Sequence, residues 1–374
     1  MPDKFRSSGM TLLMIFIFLF AACGKAQPGI DSRLNQIQMP AGFQIEVYAS
    51  GVNGARSLAL GENGVVFVGS RQAGRVYALI DEKGGGVNVS VVTIASGLDT
   101  PNGVAFHKGA LYVAENSRIL RYDNIMDKLR QSPAPVVVTD NLPRERHHGW
   151  KYIAFGPDGK LYIPVGAPYN IGVSEDTRFA TIMQMNPDGS DLRIFASGVR
   201  NSVGFDWDPA TKELWFTDNG RDWLGNDIPP DELNHAPREG MHFGYPHYYG
   251  DNEPDPEFKQ HPKAAGLVIP AQKLGAHVAA LGMKFYNGKM FPAEYRDQIF
   301  IAEHGSWNRT TPVGYRISLV RLQGGRAVSY GPFAEGWLQG RLPWGRPVDV
   351  LVMPDGALLV SDDLANQVYR ISYR

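Results

Sequence analysis

Ile153-Ala154-Phe155-Gly156-Pro157-Asp158-Gly159-Lys160-Leu161-Tyr162-Ile163 reads as a short apolar strand, a Gly-Pro-Asp-Gly turn and a second apolar strand. The same unit returns at residues 58–68, 104–113, 203–216 and 350–360, with a degenerate copy at 281–302. The period is about 45 to 50 residues, stretching to about 70 or more near the later copies, which predicts a radial array of repeats. Third strands are predicted at 75–80, 118–122, 180–185, 315–322 and 367–373, and fourth strands at 89–95, 135–139, 192–196 and 328–334. Four strands of about five residues make one propeller blade. The last repeat stops at its third strand, while a spare fourth-type strand at 44–49 precedes the first. Its surroundings, Tyr48-Ala49-Ser50-Gly51-Val52, echo Ile94-Ala95-Ser96-Gly97-Leu98 and Phe195-Ala196-Ser197-Gly198-Val199. The expectation is an all-β, six-bladed propeller of four-stranded antiparallel blades, its ring closed by the N-terminal strand joining the last blade.

Composition agrees with many tight reversals: 42 Gly and 26 Pro stand among 374 residues. A formal net charge of -1 gives no footing for a nucleic-acid partner, so any basic site is local. At the N-terminus, Lys4 and Arg6 precede an apolar run at 11–20, then Ala21, Ala22 and Cys23. This is the layout of a secretory signal, and with the sole cysteine at the junction it resembles a bacterial lipoprotein signal. The expected organisation is a signal at 1–23 with Cys23 lipidated, a polar tether at 24–40, and one propeller domain at 41–374. The implied location is the cell envelope, facing the periplasm on a lipid anchor, on the outer membrane. A plain secretory signal and an uncleaved anchor remain alternatives for this segment.

The residue just before each first strand falls on one common face of a propeller. Here that face collects Arg56, Asn102, His148, Arg200 with Asn201, His277, and Arg346 with Asp349. Turn positions filled at random would be mostly Gly, Ser, Asp and Asn. Arginine forks recognise carboxylates or phosphates, and a histidine accepts a proton near neutrality. An anionic ligand with a general base is the minimal description; the alternative is that these residues merely tie blades together. A long insertion at 241–273 carries His242, Phe243, Tyr245, His247, Tyr248 and Tyr249, then an acidic run at 251–257. Its aromatic rings suit sugar stacking, or it is a plain surface loop. His242, His247 and His261 lack tight metal-ligand spacing.

Three stretches carry a family resemblance: His147-His148-Gly149-Trp150-Lys151-Tyr152, Gly198-Val199-Arg200-Asn201-Ser202-Val203 and Gly345-Arg346-Pro347-Val348-Asp349. They are similar to the pyrroloquinoline quinone (PQQ)-dependent soluble sugar dehydrogenases. Glu303-His304-Gly305-Ser306-Trp307-Asn308-Arg309 resembles the L-sorbosone dehydrogenase branch. The resemblance implies that His148 takes the proton of a substrate hydroxyl, with His147 the competing candidate one residue out of register, and that Arg200 stabilises charge on the reacting quinone oxygen. It implies that Asn102, Arg200, Asn201 and Arg346 hold PQQ. Val348 stands where the glucose-oxidising members have a second Arg, and His304 and Arg309 are the nearest cationic substitutes for their cofactor-binding Lys. Calcium is implied on the main-chain carbonyls of Gly220 and Arg221, with Asp218 and Asp222 as further hard oxygen donors, and Asn234 is expected to cap a turn.

The chain has no Cys-x-x-Cys-His haem motif, so electrons pass to an external acceptor, a separate cytochrome or a quinone. The implied activity is oxidation of an aldose or related hydroxy-aldehyde. A calcium-dependent lactonase-like propeller and a non-catalytic binding propeller are the alternatives.

Overall fold

The computed structural model describes residues 31–86, 88–260 and 266–374. Cys23, the signal segment and His261 lie outside the described residues. Six four-stranded antiparallel blades follow one another along the chain. Blade one holds Ala55–Leu60, Val66–Ser70, Arg75–Ile80 and Ser90–Ser96, and blade two Gly103–His107, Ala110–Ala114, Ile119–Tyr122 and Val136–Thr139. Blade three holds Ala154–Phe155, Leu161–Val165, Thr181–Met185 and Arg193–Ser197, extended by a parallel fifth strand, Met241–His242. Blade four comprises Phe205–Trp207, Leu214–Asp218, Pro230–Ala236 and Gln272–Ala276, and blade five Ala280–Phe285, Ile299–Glu303, Arg316–Gln323 and Arg326–Glu335. In blade six, Pro347–Val352, Leu358–Asp362 and Gln367–Tyr373 are joined by Phe43–Ser50, which pairs antiparallel with Gln367–Tyr373.

The Gly-Pro-Asp-Gly turn forms as its chemistry dictates. Gly156 N–H donates to Lys160 O at 2.9 Å, Gly159 N–H to Gly156 O at 2.9 Å, and Asp158 Oδ1 accepts from Lys160 N at 3.1 Å. The second strands are buried along their whole length, because both of their faces are covered by neighbouring blades. Apolar side chains from adjacent blades interdigitate between the sheets. The largest of these clusters, between blades five and six, centres on Phe43, whose ring meets Phe291, Phe333, Tyr373 and Tyr295 with centroids 4.7 to 5.2 Å away.

Two expectations are corrected here. The packed domain reaches further toward the N-terminus than residue 41: Ser32–Gln36 forms a short 3-10 helix, Gln38 bridges Glu335, and Leu34, Ile37 and Met39 pack on the blade five–six core. Asn234 caps no turn; it is fully buried in the third strand of blade four, donating from Nδ2 to Glu232 Oε2 at 3.1 Å. Among the described residues, no helix is long and apolar enough to cross a membrane.

Candidate active site

The starts of the first strands and the ends of the second strands share one face, since the two are antiparallel. There they surround a cavity of about 860 Å3, counting its open mouth. Arg56, His148, Arg200, Asn201, His277, His304 and Arg346 line it, together with Arg71, Trp150, Asn219, Gly220, Asp222 and Trp307.

His148 adopts a left-handed backbone (φ 49°), an uncommon conformation outside glycine. The adjoining chain is pinned from below, as the buried Lys151 ammonium donates to Gly149 O at 2.8 Å and to Asn116 O at 2.5 Å. The His148 ring is buried, with Nδ1 2.9 Å from Ala167 O. A carbonyl can only accept, so Nδ1 carries the proton and Nε2 is left as the basic nitrogen. Burial, then the positive charges of Arg200 and His147, push its pKa well below the ordinary histidine value. Gly166 lets this ring sit where it does: a Cβ there would lie 2.5 Å from His148 Cβ and 3.1 Å from Asn201 Oδ1. His147 is exposed, its ring 4.0 Å from that of His148, and it does not line the cavity.

Arg200 is buried and fixed. Nε donates to Asn170 O at 2.8 Å, Nη2 to Asn170 Oδ1 at 2.8 Å and Nη1 to Asn219 O at 3.0 Å. The backbone beneath it is anchored by Asp218, whose two oxygens accept from Arg200 N (2.8 Å) and Asn201 N (2.6 Å). Arg346 donates from Nε to His304 O at 2.9 Å and from Nη2 to Gly305 O at 2.7 Å. Arg56 donates from Nε to Asn102 Oδ1 at 2.8 Å and from Nη1 to Asp363 Oδ2 at 3.0 Å. His304 Nε2 lies 2.8 Å from Asp363 Oδ1. Two lining residues, Leu281 and Trp150, belong to a small apolar cluster with Val203 and Val348.

Some residues assigned to the site from sequence lie elsewhere. Asn102 is fully buried outside the cavity lining, its amide committed to Arg56, Ser57 Oγ and Lys151 O, so it positions an arginine and meets no ligand. Arg309 is also outside; it ties the loop at 226–227 through Asn226 O and Asp227 Oδ1. Arg221 turns its side chain away, pairing with Asp255 (3.0 Å) and Glu257 (2.7 Å). Gly220 lines the cavity and donates its N–H to Asp231 Oδ1 at 2.9 Å; a Cβ there would meet Pro230 O at 2.8 Å. Each Asp218 oxygen accepts one backbone N–H, from Arg200 and Asn201, and Asp222 Oδ1 accepts from Asn308 Nδ2 at 2.7 Å. Among the described residues, no group of three or more His, Cys, Asp or Glu side chains is placed to hold a metal. A calcium ion here would draw on main-chain carbonyls and single carboxylate or amide oxygens rather than on a cluster of acidic side chains. The insertion's aromatics do not line the cavity itself; Phe243, Tyr245, Tyr248 and Tyr249 line a small adjoining pocket that shares Arg200, Asn219 and Gly220 with it.

Arg71, Asn219 and Trp307 were not singled out from sequence. Arg71 and Asn219 immediately follow the second strands Val66–Ser70 and Leu214–Asp218. In three of the six blades the residue leaving the second strand, Arg71, Asn219 or His304, lines the cavity, a second sequence signal for this face.

Known proteins place the chain. Residues 37–335 match the TrAA12-like family. An uncharacterized protein of Borreliella burgdorferi is 34% identical over 100% of this chain and 99% of its own length. A pyrroloquinoline quinone-dependent pyranose dehydrogenase of Coprinopsis cinerea is 23% identical over 94% of this chain, which spans 56% of that relative's length. The solved PQQ domain of the Coprinopsis cinerea pyranose dehydrogenase in its holo form superposes with a TM-score of 0.74 at 19% identity, covering 90% of this chain and 97% of that one. The calcium structure of a Trichoderma reesei family AA12 enzyme gives 0.77 at 19% identity (90% and 97% covered). A PQQ-bound aldose sugar dehydrogenase of Streptomyces coelicolor gives 0.64 at 22% identity (90% and 100% covered). The chain belongs to the TrAA12-like family of PQQ-dependent sugar dehydrogenases.

Proposed function

We propose that this protein oxidises an aldose or related hydroxy-aldehyde with PQQ bound in the propeller cavity. One observation carries the reading: a buried His148, its Nδ1 tied to Ala167 O and Nε2 left basic, opens into a cavity lined by Arg56, Arg71, Arg200 and Arg346. A tricarboxylate suits such a wall, since each guanidinium offers a planar fork of donors. The fit is supported by two buried donors of this cavity, Arg71 Nε and Trp150 Nε1, that find no hydrogen-bond partner among the described residues. Arg346, Arg200 and Asn201 would hold the cofactor, with the Gly220 and Arg221 carbonyls offering oxygen to calcium.

When bound, PQQ supplies an ortho-quinone that accepts a hydride from the substrate carbon. His148 takes the hydroxyl proton on Nε2 while Nδ1–H remains on Ala167 O, so the ring keeps its orientation through the transfer. Arg200, held rigid by Asn170 and Asn219, places positive charge beside the reacting atoms without reorganising. At the mouth, Trp307 and Trp223 meet edge to face at 5.2 Å with 65% and 67% of their surfaces exposed. Such faces suit the C–H side of a sugar ring. Electrons then leave to a separate cytochrome or quinone, and Cys23 would carry the lipid anchor that keeps the enzyme at the envelope membrane.

Replacing the base tests the reading. His148→Gln keeps the ring's approximate volume without a basic nitrogen, and turnover of the PQQ-loaded protein should fall about 10^2- to 10^4-fold while PQQ affinity stays within a few-fold of wild type. Unchanged turnover in this variant contradicts the assignment.

A further inference from the structure

Four arginines line the cavity, and they are not equivalent. Arg56 is committed to Asn102 and Asp363, Arg200 to Asn170 and Asn219, and Arg346 to the carbonyls of His304 and Gly305. The guanidinium of Arg71 makes no hydrogen bond or ion pair among the described residues. It lies over Trp150, its Cζ 3.9 Å from the ring centroid, with Nε buried and unpartnered. Its charged surroundings are mostly of its own sign: Arg56 and Arg346 repel it, and the one nearby carboxylate, Asp363, is shared already by Arg56 and His304. Burial first, then these arginines, push the Arg71 pKa down to about 10. A half-buried cation with a buried, idle donor costs folding free energy unless a ligand satisfies it. The platform beneath it is braced, because Trp150 packs against the apolar cluster of Val203, Leu281 and Val348, and its ring centroid is 6.0 Å from that of His148.

We propose that Arg71, stacked on Trp150, anchors a carboxylate of the bound ligand on the His148 side of the cavity. This rests on the dehydrogenase reading above. The carboxylate belongs either to PQQ or to an acidic sugar such as a uronic acid; the recognition chemistry is the same, with a planar fork on an aromatic face receiving two oxygens. In the first case Arg71 is a cofactor-binding residue, and in the second it sets substrate preference beside the base.

The test uses the full-length apo-protein, titrated with PQQ and followed by quenching of tryptophan fluorescence. Wild type, Arg71→Gln and Arg71→Lys are compared, and each loaded protein is then assayed with a neutral aldose and the matching uronic acid. A charge-assisted hydrogen bond corresponds to roughly tenfold to a hundredfold in affinity. If PQQ supplies the carboxylate, Arg71→Gln weakens PQQ binding by about that factor and Arg71→Lys recovers part of it. If the sugar supplies it, PQQ binding is unchanged and the uronic-acid-to-aldose ratio of kcat/KM falls by a similar factor. Arg71→Gln removes no hydrogen bond made in the fold and relieves an unpaired charge, so its melting temperature should equal or exceed that of wild type; should it fall, Arg71→Lys keeps the charge but loses the fork and reads the same two quantities. Unchanged PQQ affinity together with an unchanged substrate ratio overturns the proposal. Failure of wild type to bind PQQ overturns the dehydrogenase reading instead.

Discussion

At the scale of single residues, His148 makes the sharpest claim. Burial and Arg200 disfavour its charged form, so its folded pKa lies below the ordinary value of about 6.5. The sign follows directly: the ring stays neutral, and able to accept a proton, as pH falls through the range where a free histidine would already be charged. The acid limb of kcat/KM should therefore lie below about pH 6.5. Below that pH the unfolded chain binds a proton at this residue that the folded chain resists, so stability also declines there. An acid limb at or above the ordinary histidine value contradicts this environment. Much of this face was legible in the sequence, because the start of each first strand points to one rim; that rule reached Arg56, His148, Arg200, Asn201, His277 and Arg346. It failed at Asn102, whose small amide is short enough to be consumed by Arg56 and two neighbours before meeting the cavity. It also passed over Arg71 and Asn219, which arrive at the same rim from the other strand of the hairpin.

Among the elements, the N-terminal strand bears most on the ring. Phe43–Ser50 supplies the outer strand of blade six, and its first residue plugs the aromatic cluster between blades five and six. Phe43→Ala should cost about 3 to 5 kcal/mol, read as a lower denaturant midpoint; a change under 1 kcal/mol would mean this strand is not integral to the fold. The mismatched chain ends announced this strand in the sequence. The third strand of blade four was hidden for a physical reason. Pro230-Asp231-Glu232-Leu233-Asn234 lacks apolar alternation, since its buried carboxylates are there to accept backbone N–H groups: Asp231 from Gly220 and Ala280, Glu232 from Gly250. Burial pushes their pKa values up to about 7 and about 8. Polar residues satisfied by main chain look like a turn in one dimension and form a strand in three. The insertion's aromatics could be read either way in the sequence, since their place depends on partners far along the chain: the fifth strand of blade three, and Arg221 with Asp255 and Glu257.

For the whole molecule, the ring of blades brings residues as far apart as Arg56 and Arg346 to one rim, where committed arginines, one uncommitted arginine and a neutral histidine face the same space. The central claim is that this space holds PQQ and oxidises sugars. It is tested most directly by adding PQQ and calcium to the metal-depleted, full-length apo-protein and following aldose-dependent reduction of an artificial dye. Turnover that requires PQQ, is lost on chelation and returns with calcium is the expected result. Failure of the folded protein to bind PQQ, with no dye reduction by any aldose or uronic acid tried, would contradict it.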